Sequence, residues 1–408
     1  MRILFSTGEV SGDVAGALVA ASVRARSPAA ELFGIGGGRL AAAGVEVLRE
    51  TNHLGCVGLT ETFSAIPALA GAFRGLSRAV GQRRPQAALL VGNDLFNCLL
   101  ARWLRRAGVR TVCFFPPQVW LWRSLAGPIG ASYDSVLTSF PEEDAVYRAR
   151  GARAHFVGHY LCDRLPRPDA AARATARESL GLDASARVLA LLPGSRTIEV
   201  RELGPILIEA AARLLVRDPA LRFVLPLAEP RFAAGIAALI ARHPFGGRIV
   251  LVGDSHRALA AADLALMASG TASLEATLLG VPMVLLYRLS TVTMGAVGLI
   301  RALGLIDAES VGLPNLLSGE TVVPELRQGA ATAERLADEA WRLLADPERR
   351  AATRAALDRI RPALARAGTI DRVADCLIAH AADLPWPAAD EATAQVPNPD
   401  LLPSWSHP

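Results

Sequence analysis

The chain has 408 residues, 51% hydrophobic and only 5% aromatic, a composition that suits helices packed on parallel strands in two domains better than an all-β shell. All 43 of its basic residues are arginine, and without a lysine it cannot be a Walker-type P-loop protein, a pyridoxal enzyme or a Schiff-base aldolase. A net charge of +4 gives no reason to expect nucleic acid, and five scattered cysteines without a Cys-x-x-Cys pair, beside seven histidines without a His-x-x-x-His pattern, give none to expect a metal.

Met1 to Ser6 runs straight into a strand-like stretch with no basic segment before an apolar one, so no secretory leader is expected and the cysteines are expected to be reduced, in the cytoplasm. Short apolar runs at 3–5, 32–35, 87–91, 111–115 and 135–137 predict strands with helices between them, the pattern of a parallel sheet covered on both faces. The first strand leads into Gly8-Glu9-Val10-Ser11-Gly12-Asp13. Its glycines let the backbone approach a ligand, and Ser11 and Asp13 can cap the next helix; a plain capped turn explains the segment equally well. Gly34-x-Gly36-Gly37-Gly38 resembles a dinucleotide fingerprint but follows the second strand, so no dinucleotide cofactor is expected. From 63 to 80, Phe63, Ile66, Leu69, Phe73 and Leu76 recur at helical spacing with Arg74 and Arg78 interleaved. Most such stripes face a core, and the alternative is an interfacial helix that takes up a lipid, with Pro67 limiting it to shorter pieces.

A Pro- and Ala-rich stretch at 165–172 reads as a linker into a second series of strands at 188–192, 223–227, 249–252, 264–267 and 283–286, separated by helices such as 202–216 and 231–242. Leu192-Pro193-Gly194-Ser195-Arg196 joins a strand to a helix and offers backbone N–H groups, a hydroxyl and a guanidinium, the components of a diphosphate cradle. Ala268-Ser269-Gly270-Thr271-Ala272-Ser273-Leu274-Glu275 places small residues at another helix start, where the positive end of the dipole favours phosphate. Glu275, one turn in, can accept from two ribose hydroxyls, although a solvated glutamate would look the same. The mixed apolar stretch 289–306 is too short for a membrane span. Beyond Ala330 the pattern is helical to about 381. The tail from 384 is expected to be mobile, and Trp405-Ser406-His407-Pro408 matches the start of an affinity tag. The expected domains are therefore 1–164, 165–350 and C-terminal helices 351–383 that cross back to the first, followed by the tail 384–408.

Six segments in order and at compatible spacing resemble the lipid-A-disaccharide synthases over about residues 1–381. They are Gly8 to Asp13; Val119-Trp120-Leu121-Trp122-Arg123; Phe156-Val157-Gly158-His159; Leu192 to Arg196 with Glu199-Val200; Ser269-Gly270-Thr271 with Glu275; and Gly312-Leu313-Pro314-Asn315-Leu316-Leu317. The resemblance implies an α/β GT-B fold, two doubly wound domains facing a cleft. It also implies an inverting transfer from a UDP-linked 2,3-diacylglucosamine to the lipid acceptor 2,3-diacylglucosamine 1-phosphate, β-1,6, with no metal or other cofactor.

By the same resemblance Asp94 is the general base. Gly194, Ser195, Arg196, Ser269, Gly270, Thr271, Glu275 and Asn315 form the donor side; Glu9, Ser11, Gly12, Asp13, Trp120 and Trp122 form the acceptor side. Phe63, Ile66, Leu69 and Phe73 form a lipid patch on the cytoplasmic face of the inner membrane, and a homodimer is allowed. Four segments depart from the family pattern: the loop after Asp94 lacks two residues and a second acid, Pro116-Pro117-Gln118 stands for Ser-Pro-Ser, Leu289-Ser290 stands for Lys-Pro, and the helical patch 63–80 is less basic than its family counterpart. These leave open a UDP-sugar transferase with another lipid acceptor, a UDP-sugar 2-epimerase, and a non-catalytic nucleotide-sugar binder.

Overall fold

The structure is a computed structural model that describes residues 1–51, 59–92, 94–227, 229–245, 247–288 and 312–386, with the backbone alone at 59–66, 94, 121 and 122. The described residues of Met1–Asp163 and Ala363–Pro408 form one compact unit, and those of Arg164–Leu289 and Glu309–Pro362 form a second.

The first unit is built on seven parallel strands, β1 (Arg2–Thr7), β2 (Glu31–Gly36), β3 (Glu46–Glu50), β4 (Ala87–Val91), β5 (Arg110–Phe114), β6 (Ser135–Thr138) and β7 (Ala154–Phe156), in the order β3-β2-β1-β4-β5-β6-β7. Strand β1 is nearly all buried and β4 wholly so, and they pair with Phe5 opposite Leu89 and Thr7 opposite Val91. The strand order reverses at that pair, which makes the carboxyl ends of β1 and β4 the crevice where open α/β sheets take ligands. Helix α1 (Val10–Arg26) leaves β1 there, and α2 (Gly38–Ala42), α3 (Leu59–Arg83) and α4 (Asp94–Arg106) follow along the chain. The helix Thr369–Ala381 returns to this unit and lies on α1, β4 and β5. It is tied there by Ser22 Oγ to Asp371 (2.8 Å) and by Arg26 to Asp371 and Asp375.

The second unit holds six parallel strands, β8 (Val188–Leu192), β9 (Arg222–Pro226), β10 (Ile249–Val252), β11 (Leu264–Ala268), β12 (Met283–Tyr287) and β13 (Glu325–Arg327), in the order β10-β9-β8-β11-β12-β13. Its core packs Leu189, Leu191, Phe223 and Leu266 of the sheet against Leu203, Leu207 and Leu214 of the helix Thr197–Arg217 and Leu336 and Leu343 of Ala333–Ala345. The switch point here lies between β8 and β11.

Three strands lack a sequence signal, β3, β7 and β13, and all three are edges of their sheets. An edge strand can be short and polar, as Glu-Val-Leu-Arg-Glu in β3 is, because only one side pairs and its side chains face water. A second difference concerns Pro67, which does not divide its helix. Helix α3 runs unbroken through it, with Ala72, Leu76 and Val80 buried. Pro67 is exposed, so the carbonyl one turn back that loses its donor can turn to water. The helix expected at 231–242 is a 3-10 turn, Pro230–Phe232, followed by Ala233–Ile240. At the end of the first unit Trp386 packs edge-on against His155 at 5.1 Å. The stretch at 289–306 and the tail segment with residues 405–408 lie outside the described residues.

Candidate active site

Two loops flank the switch point of the second sheet. The first leaves β8 as Pro193-Gly194-Ser195-Arg196. Gly194 has φ +106°, and a Cβ there would stand 2.2 Å from Oε2 of Glu199, so only glycine fits. Glu199, on the first turn of the helix Thr197–Arg217, reaches back into the loop. Its Oε2 accepts from the N–H groups of Ser195 (3.0 Å) and Arg196 (3.2 Å), and its Oε1 accepts from Nη1 of Arg196 at 2.9 Å. This corrects the cradle expected from the sequence: two of its backbone donors are already engaged by a carboxylate. The Arg196 side chain is one-third exposed and held by that carboxylate. Tyr287, at the end of β12, shares this neighbourhood. Burial raises its phenol, Glu199 adds to the rise, and Arg196 opposes it.

The second loop leaves β11. Ser269 N–H continues the ladder to Leu286 O at 2.9 Å, and Gly270 and Thr271 are exposed. No side chain caps the helix Thr271–Leu278, and Ser273 N–H turns back to Gly270 O at 2.9 Å; a helix start with small residues is where a phosphate is favoured. Four residues in, the Glu275 carboxylate is mostly buried. Oε1 lies 3.3 Å from Nε2 of His256, and Oε2 accepts from Ser255 Oγ at 3.5 Å. The hydrogen bond with Glu275 raises the pKa of His256 above its ordinary value against the opposing effect of burial.

The side chain of Asn315 is engaged internally. Its Nδ2 donates to Val323 O (2.9 Å) and Glu325 Oε1 (2.7 Å), and its Oδ1 accepts from Val322 N (2.8 Å) and Val323 N (3.0 Å). An amide has two donors and two lone pairs, and all four stitch the helix Leu313–Ser318 to the approach to β13. The side-chain amide is thus fully used within the protein.

In the first unit the loop after β1 is structural at Asp13. The helix begins with Glu9 at its cap position and no side-chain cap, so neither Ser11 nor Asp13 caps it. Asp13 is fully buried and accepts from Gly37 N (2.7 Å) and Arg39 N (3.1 Å), thereby capping α2. The glycine-rich segment after β2 is thus the receptor of a buried carboxylate, and a Cβ on Gly36 would meet Thr7 Oγ1 at 2.6 Å. Glu9 and Ser11 are half-buried at the start of α1, and Gly12 is buried beside them.

Asp94 opens α4, and its side chain lies outside what is described. What holds its place is visible. Gly92 turns with φ +57°, and Asn97, 1% exposed, accepts from Ser6 Oγ (2.7 Å) and donates to Gly92 O (2.5 Å). After β5, Phe115 has φ +57°, an uncommon backbone state for an aromatic residue, and its ring joins Phe114, His159 and Tyr160. Trp120 is buried, packs edge-on against Phe140 and donates to Gln118 Oε1. The Trp122 side chain lies outside the described residues. Burial in this aromatic cluster pushes His159 down to about 3.

Of the lipid patch, the side chains of Phe63 and Ile66 lie outside the described residues. Leu69 and Phe73 are half-buried, and Phe73 packs edge-on against Trp103 of α4 at 5.4 Å. Nearby, the open apolar side chains are Leu95 and Leu99 of α4, 69% and 54% exposed. Among the described residues no group of three or more His, Cys, Asp or Glu could hold a metal ion, and no helix is long and apolar enough to cross a membrane.

Residues 3–377 match the family model described as lipid-A-disaccharide synthetase. The chain belongs to that family. Among its relatives, the lipid-A-disaccharide synthase of Geobacter sulfurreducens is 38% identical over 379 residues, covering 92% of this chain and 96% of the relative. Two solved structures show the fold alone. One is a UDP-N-acetylglucosamine 2-epimerase from Listeria monocytogenes (TM-score 0.63, 13% identical, 95% of this chain and 98% of that one). The other is the calicheamicin glycosyltransferase (TM-score 0.55, 17% identical, 94% and 98%). The α/β architecture of two parallel sheets is that of the GT-B enzymes.

For this lipid-A-disaccharide synthetase family member, four groups were not singled out as site residues by sequence reasoning: Glu199, Asn97, Ser255 and His256. Asn97 carried a readable signal, a polar residue among the buried Phe96, Cys98 and Leu100 one turn into a helix. His256 carried none, for it has no partner at ligand spacing.

Proposed function

We propose that this chain is the hexosyltransferase that moves 2,3-diacylglucosamine from UDP to 2,3-diacylglucosamine 1-phosphate, forming the β-1,6 disaccharide of lipid A and releasing UDP. The family match across residues 3–377 carries this reading. The second unit takes the donor: Arg196 and the open helix end at Ser269, Gly270 and Thr271 receive the diphosphate, and Glu275 the ribose. Negative charge grows on the leaving UDP, so a guanidinium and a helix N-terminus aimed at it lower the barrier without a metal.

The first unit takes the acceptor. Asp94, at the start of α4, removes the proton of the acceptor hydroxyl as its oxygen attacks the anomeric carbon opposite UDP, and this inverts the centre. The turn at Gly92 and the amide of Asn97 fix where that carboxylate begins. Both substrates carry acyl chains, so the enzyme works at a lipid surface, and the open leucines of α4 follow directly on the base. We place it on the cytoplasmic face of the inner membrane, as a monomer or homodimer.

The test is to incubate the chain with both substrates in mixed micelles with chelator present, following UDP and disaccharide. Formation of both supports the reading and its independence of metal. Release of UDP without disaccharide, or no turnover while UDP still binds, refutes the proposed acceptor.

A further inference from the structure

Each oxygen of the Glu275 carboxylate has a partner of its own, and both partners come from adjacent residues. His256 Nε2 stands 3.3 Å from Oε1, and Ser255 Oγ donates to Oε2 at 3.5 Å. They form the first turn of the helix Ser255–Ala261, which Asp254 caps by accepting from His256 N (3.0 Å) and Arg257 N (3.3 Å). A carboxylate approached at both oxygens, here at long hydrogen-bond distances, is biased toward one orientation, and of its roughly four lone-pair directions about two remain. Two directions in a fixed plane match a vicinal diol.

We propose that Ser255 and His256 are positioning residues of the nucleotide site, aiming Glu275 at the 2′- and 3′-hydroxyls of the donor so that the enzyme selects ribose over deoxyribose. The inference rests on Glu275 being the ribose contact.

The charged groups around His256 are Glu275 from the next helix, Asp254 at its own helix start and Arg164 from the helix Leu161–Arg164, with Arg257 beside Asp254. The hydrogen bond with Glu275, and both carboxylates, favour the imidazolium, while burial and Arg164 oppose it, and the result is a raised pKa. The grip on Glu275 is therefore tightest when His256 is protonated and loosens as pH rises through its folded value.

The experiment titrates the full chain with UDP-N-acetylglucosamine and with its 2′-deoxyuridine counterpart at pH 6 and pH 8. Their diphosphate diesters do not titrate in that range, so any pH dependence belongs to the protein. Wild type is expected to prefer the ribonucleotide by about tenfold, the worth of roughly one charge-assisted hydrogen bond, and more at pH 6 than at pH 8. His256→Ala should lower that preference to about threefold or less while leaving the deoxy affinity within about twofold. His256→Gln should remove its pH dependence, and Ser255→Ala should act in the same direction as His256→Ala. Thermal melts confirm that each variant is folded. An unchanged preference and pH dependence in His256→Ala overturns the inference. If Glu275→Ala also keeps the full preference, the ribose reading itself falls; if Glu275→Ala loses it, that reading stands and the positioning role alone is wrong.

Discussion

Gly194→Ala probes the geometry of the donor loop most directly. The added methyl would sit 2.2 Å from Oε2 and 2.8 Å from Cβ of Glu199, and the backbone would have to hold φ +106° with a side chain attached. The strain of such a backbone state is on the order of 1–3 kcal/mol. Expelling the Glu199 carboxylate also releases the N–H groups of Ser195 and Arg196, at about 1 kcal/mol each. The half-buried Arg196 pair, still open to solvent on one side, adds about 1 kcal/mol and is left out of the sum. The total is roughly 3–5 kcal/mol if the loop stays put, so it will move, carrying Arg196 away from the phosphate position. Calorimetric titration should then show UDP affinity down by at least about tenfold. For a unit of this size the melting transition should drop by about 6 °C or more, at roughly 2–4 °C per kcal/mol. A variant that binds UDP like wild type and melts within a degree of it would refute the idea that Glu199 holds this loop in its working shape.

Asp94→Ala should abolish disaccharide formation while UDP affinity stays within about twofold, and near-normal turnover would remove the base assignment. Arg196→Ala and Glu275→Ala should each weaken UDP binding about tenfold in the same titration. Asn97→Ala strands the Ser6 hydroxyl and the Gly92 carbonyl; a loss of about 2–3 kcal/mol in denaturant melts and a fall in kcat at unchanged UDP affinity are expected. Glu142, 4% exposed, is pushed up to about 7 by burial. Its folded pKa lies above the unfolded one, so stability is full below about pH 4.5 and falls as pH rises toward 7. Glu142→Gln should therefore gain up to about 3 kcal/mol relative to wild type at pH 8 and little at pH 5.

Most strands of both sheets were legible because they are short, uninterrupted apolar runs; 87–91 and 188–192 are buried throughout, and the edge run 249–252 was found by its composition alone. The edges β3, β7 and β13 were not: β3 is exposed and polar, while β7 and β13 are only three residues each, too short to show a period. The strand-to-helix loops were found for the right reason, but a sequence shows which N–H groups exist and not what they face. Ser195 and Arg196 therefore read as phosphate donors when a glutamate three to four residues on already engages them. Asp13 misled in the same way: its carboxylate closes on N–H groups 24 and 26 residues away, not on its own helix. Asn315 sat in a family motif, yet its four hydrogen bonds are all internal. Local spacing encodes local geometry; these three contacts depend on neighbours brought together by the sheet.

The helix Thr369–Ala381 covers strands made near the start of the chain, and Ser22 reaches Asp371 across 349 positions. A growing polypeptide exposes the surface over β4 and β5 throughout the synthesis of the entire second unit, because its cover has not yet been translated. The second unit, complete by Pro362, can close first. Order of synthesis and order of completion are thus reversed. A nascent chain stalled before residue 369 would leave an open apolar sheet for chaperones to guard, and a premature stop there would condemn the half of the molecule that was made first.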